Sequence, residues 1–210
     1  MMDESNSSRE KCDGLDRAAW IRSKLMRTDD LVKTLIELGW FCSKDEVGDV
    51  FCLTKIDDRI IQIIPSLSKR SDHFRVSLAP SISTEKFSDA VSFIIGRDVE
   101  FEPIVVSNFP VKKIKHPDQS DIDKLSKEAI EWALSQNIIE ALENYRNMPT
   151  NAKGARPLRH LASLSVFDDV YSLQRYKDSF EKGDRLDFVP YITVDMISRA
   201  LMFTGKEIES

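Results

Sequence analysis

Residues 50–65 read VFCLTKIDDRIIQIIP, and this stretch decides the fold. Val50 to Ile56 and Arg59 to Ile64 are rich in β-branched and aromatic side chains, which pack well on a pleated surface and crowd the turns of a helix. Asp57-Asp58 between them supplies a two-residue turn, because short polar side chains tolerate the positive φ of a tight hairpin. The spacing predicts a β-hairpin. After Pro65 and a polar stretch to Ser71, Phe74, Val76 and Leu78 alternate with His73, Arg75 and Ser77. That is a third strand with one buried face and one wet face, and Pro80 is expected to end it.

On either side the apolar period changes from 2 to 3.6. Leu31, Leu35 and Leu38 mark a helix that Thr28 should cap, with Asp29 and Asp30 at its positive dipole end and Gly39 closing it. An earlier amphipathic segment, Leu15 to Met26, is interrupted by Arg22, and residues 1–14 carry too little apolar surface to fold, so a disordered tail is expected. Ser83-Thr84-Glu85 opens a helix whose stripe is Phe87, Ala90, Val91, Ile94 and Ile95, closed by Gly96, with a fourth strand at Pro103 to Ser107. Asn108 to Gln119, with Pro110 and Pro117 around a basic run, is expected as a boundary. Ser120-Asp121-Ile122-Asp123 then caps a long helix to about Asn147, followed by helices near 157–165, 167–182 and 193–204. The fold class is α+β: a small antiparallel sheet with flanking helices, then a helical C-terminal part. The expected division is 1–14 tail, 15–115 sheet part and 116–210 helical part, packed as one unit.

The chain has 210 residues, a formal net charge of −5, 41% hydrophobic and 31% charged residues. That composition suits a globular chain and argues against binding nucleic acid or anionic membrane, which requires a basic face. The N-terminal residues lack the basic start and apolar run of a signal peptide, and no apolar run approaches the ~20 residues of a membrane span. Cys12, Cys42 and Cys52 cannot all pair with one another and show no CxxC spacing, so a reducing cytoplasm is the expected location.

Chemistry-bearing patterns are sparse. The seven glycines are scattered singly, which leaves no phosphate-cradling loop. His73, His116 and His160 lie far apart, with no Cys, His or carboxylate at helical spacing to complete a metal pair, so neither metal nor cofactor is expected. Cys42 or Cys52 with His73 would make a thiolate-imidazole dyad; the alternative is that Cys52 is a small apolar side chain in a strand. Asp57-Asp58 and Asp168-Asp169 point in different directions as sequence neighbours and read as turn and cap residues rather than acid/base pairs. Lys112, Lys113 and Lys115 read as a solvated run without interleaved aromatics. Lys153, Arg156 and Arg159 with His160 form a candidate anion site. Trp20, Trp40, Trp132, Phe41 and Tyr145 are either core groups or anchors for a partner.

Two stretches resemble known families. DVFCLTKIDDRIIQIIP with HFRVSLAPSI, in the order helix, three antiparallel strands, helix, strand over residues 28–107, resembles the class I chaperones of bacterial type III secretion. The resemblance implies a small acidic protein that holds an effector segment in extended form. The positions it implies for client binding are Phe51, Leu53, Ile61, Ile63, Phe74, Val76 and Leu78. GARPLRHLASLSVFDDVYSLQRYKDSFEKGD, residues 154–184, looks like a single ankyrin repeat; an ordinary helical hairpin is the alternative, since one repeat alone cannot bury its apolar face. The function expected is a non-enzymatic cytoplasmic protein-binding adaptor or secretion-chaperone-like factor whose partner is a protein segment. The alternatives are an enzyme built around Arg156, Arg159 and His160 beside a carboxylate such as Asp169, and a self-assembling subunit, for instance a homodimer.

Overall fold

In the computed structural model, which describes residues 25–205, the hairpin forms as read: Val50–Ile56 (β2) and Arg59–Lys69 (β3) place Ile56 opposite Arg59, with Asp57 at φ 54° in the turn. A strand the periodicity does not predict, Phe41–Lys44 (β1), pairs along the free edge of β2. Phe74–Thr84 (β4) pairs with β3 from Lys69 back to Arg59. Val105–Val106 (β5) and Lys112–Ile114 (β6) both pair with β4 on its other side, which completes a six-stranded antiparallel sheet. The stretch expected as a boundary therefore carries a sheet strand, and its Lys112 pairs with Glu128 at 3.3 Å.

Pro80 does not end its strand. The Pro80 carbonyl accepts the Ser107 N–H at 2.9 Å, so this residue's backbone groups face β5 and its missing N–H costs the β3–β4 ladder nothing. Pro65, two positions from Ile63 on β3, shares the same parity and points its nitrogen away from β4. The alternation also fixes the pair Cys42↔Cys52 as a non-hydrogen-bonded one, the close type of cross-strand pair. The two residues form a disulfide, with their Cα atoms 4.0 Å apart. The sequence reading of Cys52 as a plain apolar residue is corrected accordingly. Purified protein, air-oxidised, denatured and alkylated without reductant, is expected to gain one adduct, on Cys12, and three after reduction; three adducts before reduction would show that the pair does not close.

Seven helices accompany the sheet among the described residues: Thr28–Glu37 (α1), Glu85–Ile95 (α2), Gln119–Ser135 (α3), Ile138–Arg146 (α4), Arg156–Val166 (α5), Val170–Glu181 (α6) and Val194–Phe203 (α7). The tail expected over 1–14 and the helical segment expected from Leu15, up to residue 24, lie outside the described residues. Several helix ends differ from the sequence reading. Thr28 is already helical and Arg27 is the N-cap residue, its N–H donating to Asp30 Oδ2 at 3.1 Å. Asp118, not Ser120, caps α3 through a reciprocal pair with Asp121. The long helix breaks at Gln136, because the Asn137 side chain accepts the Glu140 N–H and starts α4. Thr84 caps α2 as expected, and Gly96 ends it at φ 72°, a left-handed conformation that a Cβ would strain.

Helices α1 and α3 cover one face of the sheet. Long-range bonds from two side chains fix them there. Trp40 Nε1 donates to Ser126 Oγ at 2.8 Å inside the core, and Arg59 Nη1 donates to the carbonyls of Ala133, Leu134 and Gln136 at the C-terminal end of α3. Helix α2 instead packs against α5 and α7, and Arg199 of α7 donates to the Ile94 carbonyl at its end. The two expected halves thus interleave: α3, from beyond residue 115, belongs to the sheet layer, and α2, from before it, belongs to the helical layer. One continuous hydrophobic core runs through both.

Candidate functional site

Strand parity sorts the sheet side chains into two faces. Cys52, Ile61, Ile63, Val76, Leu78 and Phe74 share the face under α1 and α3 and are buried. Phe41, Phe51, Leu53, Gln62, Ile64 and Val106 share the opposite, outer face, by the pairs Phe41↔Leu53, Leu53↔Gln62, Gln62↔Ser81 and Ser81↔Val106. Phe41, Ile64 and Val106 there are 65%, 56% and 61% exposed. The outer face is closed at one end only. Near Ser83, the Ser83 and Ser88 hydroxyls lie 3.1 Å apart and Ser88 accepts the Glu102 N–H, which seats residues 100–104 over that end.

Between that closed end and the β1–β2 loop lies a shallow trough of about 340 Å³, lined by Asp45, Asp49, Val50, Phe51, Gln62, Ile64, Glu100 and Phe101. Its floor is apolar with a single amide, Gln62, and its rim is acidic. Asp45 Oδ1 accepts the Val47 and Asp49 N–H groups, which shapes the loop and leaves Val47 at its tip 83% exposed. Contiguous exposed apolar surface of this kind marks interaction sites more often than ordinary solvent-facing sheet. A larger cavity of about 510 Å³ lies between α2 and α7, but its lining mixes charges of both signs, Arg97 and Arg199 with Asp89 and Asp98. Burial, with the Glu85 charge nearby, raises the Asp89 carboxyl there.

The seven client positions implied by the chaperone resemblance divide between the faces. Ile61, Ile63, Phe74, Val76 and Leu78 are core residues beneath α1 and α3, while Phe51 and Leu53 sit on the open side with partial exposure. The open-face residues absent from the sequence reading, Ile64 and Gln62, had a signal in IIQII: a strand apolar on both parities has two faces to cover. Val47, Phe101 and Glu100 belong to loops and carried none.

The basic cluster is divided between exposed and engaged side chains. Lys153 and Arg156 are exposed, whereas Arg159 Nε donates to Glu102 Oε1 at 2.6 Å and its Nη1 to Tyr145 Oη at 3.1 Å. Burial works against the Arg159 charge, but Glu102 and Tyr145 outweigh it and hold the guanidinium above its ordinary pKa. His160 is buried with both ring nitrogens engaged: Nδ1 lies 2.9 Å from the Tyr145 carbonyl and Nε2 3.0 Å from Tyr176 Oη. A carbonyl can only accept, so Nδ1 carries the proton and Nε2 accepts from the Tyr176 hydroxyl. Burial lowers the His160 pKa, and the Tyr145 carbonyl and the Asp169 charge offset part of that. Asp169 caps α6 by accepting the Ser172 N–H and is held by Arg146 at 3.0 Å. Burial raises its carboxyl, but those partners prevail and lower it. The thiolate-imidazole dyad does not form, since Cys42 and Cys52 are bonded to each other and His73 Nδ1 lies 2.7 Å from Asp72. Trp40 and Tyr145 are tied into the core, and Trp132 packs edge-on against Phe109; Phe41 stands free at the sheet edge.

Among the described residues no group of three or more His, Cys, Asp or Glu is placed to hold a metal ion, and no helix is long and apolar enough to cross a membrane. Fold and surface define an α+β sheet protein with one helix-covered face and one open, apolar, acid-rimmed face. The chain belongs to DUF6990, a family of unknown function, whose model matches residues 27–205 and so takes in every described helix and strand. No curated protein and no solved structure matches the chain.

Proposed function

We propose that the protein is a non-enzymatic adaptor, secretion-chaperone-like in manner, that holds a protein segment on the outer face of its sheet. The observation that carries this reading is the open face itself: Phe41, Ile64 and Val106 are more than half exposed on a sheet whose other face is covered by α1 and α3. Large aromatic and aliphatic groups in a shallow groove are the anchors that dominate protein–protein binding energy. The engaged nitrogens of His160 and the closed Arg159–Glu102 pair favour a structural role for the basic cluster. The working location is the cytoplasm, where the Cys42–Cys52 disulfide of the structure would be an exception to the reduced thiols usual there.

Copurification from native cells, with tagged wild type beside a Phe41→Ser/Ile64→Ser double variant, tests the reading. One stoichiometric protein partner is expected with wild type after a moderate salt wash, and its recovery should fall about tenfold or more with the variant, as two anchor truncations would cause. Equal recovery would place the partner elsewhere on the molecule. Recovery of folded wild type alone would overturn the adaptor reading.

A further inference from the structure

We propose that the trough selects extended segments in which basic side chains flank an apolar one at every second position; this rests on the adaptor reading and names its partner's chemistry. The floor, Phe51, Ile64 and Phe101, is apolar, so the residue seated deepest is aliphatic or aromatic. Asp49 and Glu100 reach the rim from separate segments, the β1–β2 loop and the stretch after α2, and neither forms an ion pair with a described residue. Two unpaired carboxylates beside an apolar floor create a potential that favours cations and repels an acidic segment. In an extended chain, residues two apart point the same way about 6.6 Å from one another, so a central apolar group and its flanking cations can all face the sheet. The Gln62 amide, one donor group and one acceptor on the floor, has no hydrogen bond among the described residues and matches the complementary pair on a peptide group.

The experiment titrates full-length, isotope-labelled protein with the peptide Gly-Arg-Ser-Leu-Ser-Arg-Gly and with its counterpart carrying Glu for both Arg, following backbone amide shifts. The expected result is saturable shifts at Phe51, Gln62 and Ile64 with the Arg peptide, and binding weaker by about threefold to tenfold in Asp49→Asn/Glu100→Gln, the range set by two exposed charge contacts. Ile64→Ser should weaken it as well, while the Glu peptide should bind more weakly than the Arg peptide. Asp45 is left intact because its carboxylate holds the loop. Equal affinity for both peptides at these amides would overturn charge selection and leave the adaptor reading standing. If neither peptide moves these amides while the double variant still loses its copurified partner, the segment chemistry is wrong and only this inference falls. A concentration-dependent dimer that Ile64→Ser dissolves would give the trough to a second copy of the chain and overturn it. Arg-peptide binding unchanged by all three substitutions would reveal attraction to the acidic surface at large and overturn it too.

Discussion

Phe74→Asp is expected to unfold the protein, and Ile64→Asp to leave it folded. Phe74 is 5% exposed on the helix-covered face, where removing the ring alone costs about 3–5 kcal/mol. A carboxylate in that space adds several kcal/mol more through its lost hydration, which Lys69, paired opposite on the neighbouring strand but itself exposed, offsets only in part. Together these approach the whole stability of a domain, about 5–15 kcal/mol. Ile64 lies one position along from the buried Ile63 and faces water, so the same charge there keeps its hydration. Thermal melting by circular dichroism separates the two variants. A folded Phe74→Asp protein that had lost only its partner would instead make the covered face the groove, with α1 and α3 as a removable cover.

His160→Leu is the second large effect. The substitution takes one of its donors from the Tyr145 carbonyl, which keeps the Met148 N–H at 3.1 Å, and removes the acceptor of the Tyr176 hydroxyl in a site where the His160, Tyr176 and Phe188 rings lie within 6.3 Å of one another. At about 1–3 kcal/mol for the buried hydroxyl that loses its acceptor and about 0.5–1.5 kcal/mol for the hydrogen bond lost at the carbonyl, a loss near 3 kcal/mol is expected, a fall in Tm on the order of 10 °C. The pH dependence follows from the same burial. The folded protein holds His160 below its ordinary value of 6.5, so just under pH 6.5 the unfolded chain binds a proton the folded one refuses. Stability is full above pH 6.5 and falls as pH drops toward the folded pKa, by up to about 1.4 kcal/mol per unit. Below that it levels off as far as this group is concerned. In His160→Leu this part of the slope should vanish. A wild-type curve flat from pH 7 to pH 5 would mean that His160 is charged or exposed.

The hairpin was legible because Asp57-Asp58 and two β-branched runs say the same thing at every level, turn chemistry and pattern alike. Strand β1 was not, since Phe-Cys-Ser-Lys at 41–44 has too few residues to display a period and takes its strand conformation from pairing with β2. Pro80 misled because proline is penalised only where its nitrogen should donate, and parity, which needs a known neighbour, decides that. The break at Gln136 had a readable signal in Asn137 and Glu140, three apart, but the apolar spacing from Ile122 to Tyr145 overrode it. The candidate site was legible only as a two-sided apolar strand. Which side α1 and α3 would cover depends on contacts such as Trp40 to Ser126, and those were beyond any local pattern.

The interleaving of layers bears on synthesis. Strands β2, β3 and β4 leave the ribosome well before α3, so Ile61, Ile63, Val76 and Leu78 spend that interval without the helix that covers them. The bond from Arg199 to the Ile94 carbonyl spans 105 residues and can close only once Arg199 has itself been made. A nascent chain therefore carries the outer face of its sheet bare, and the inner face with α1 alone to cover it, for a time, and the aggregation hazard of this fold lies in the interval between making the sheet and making α3.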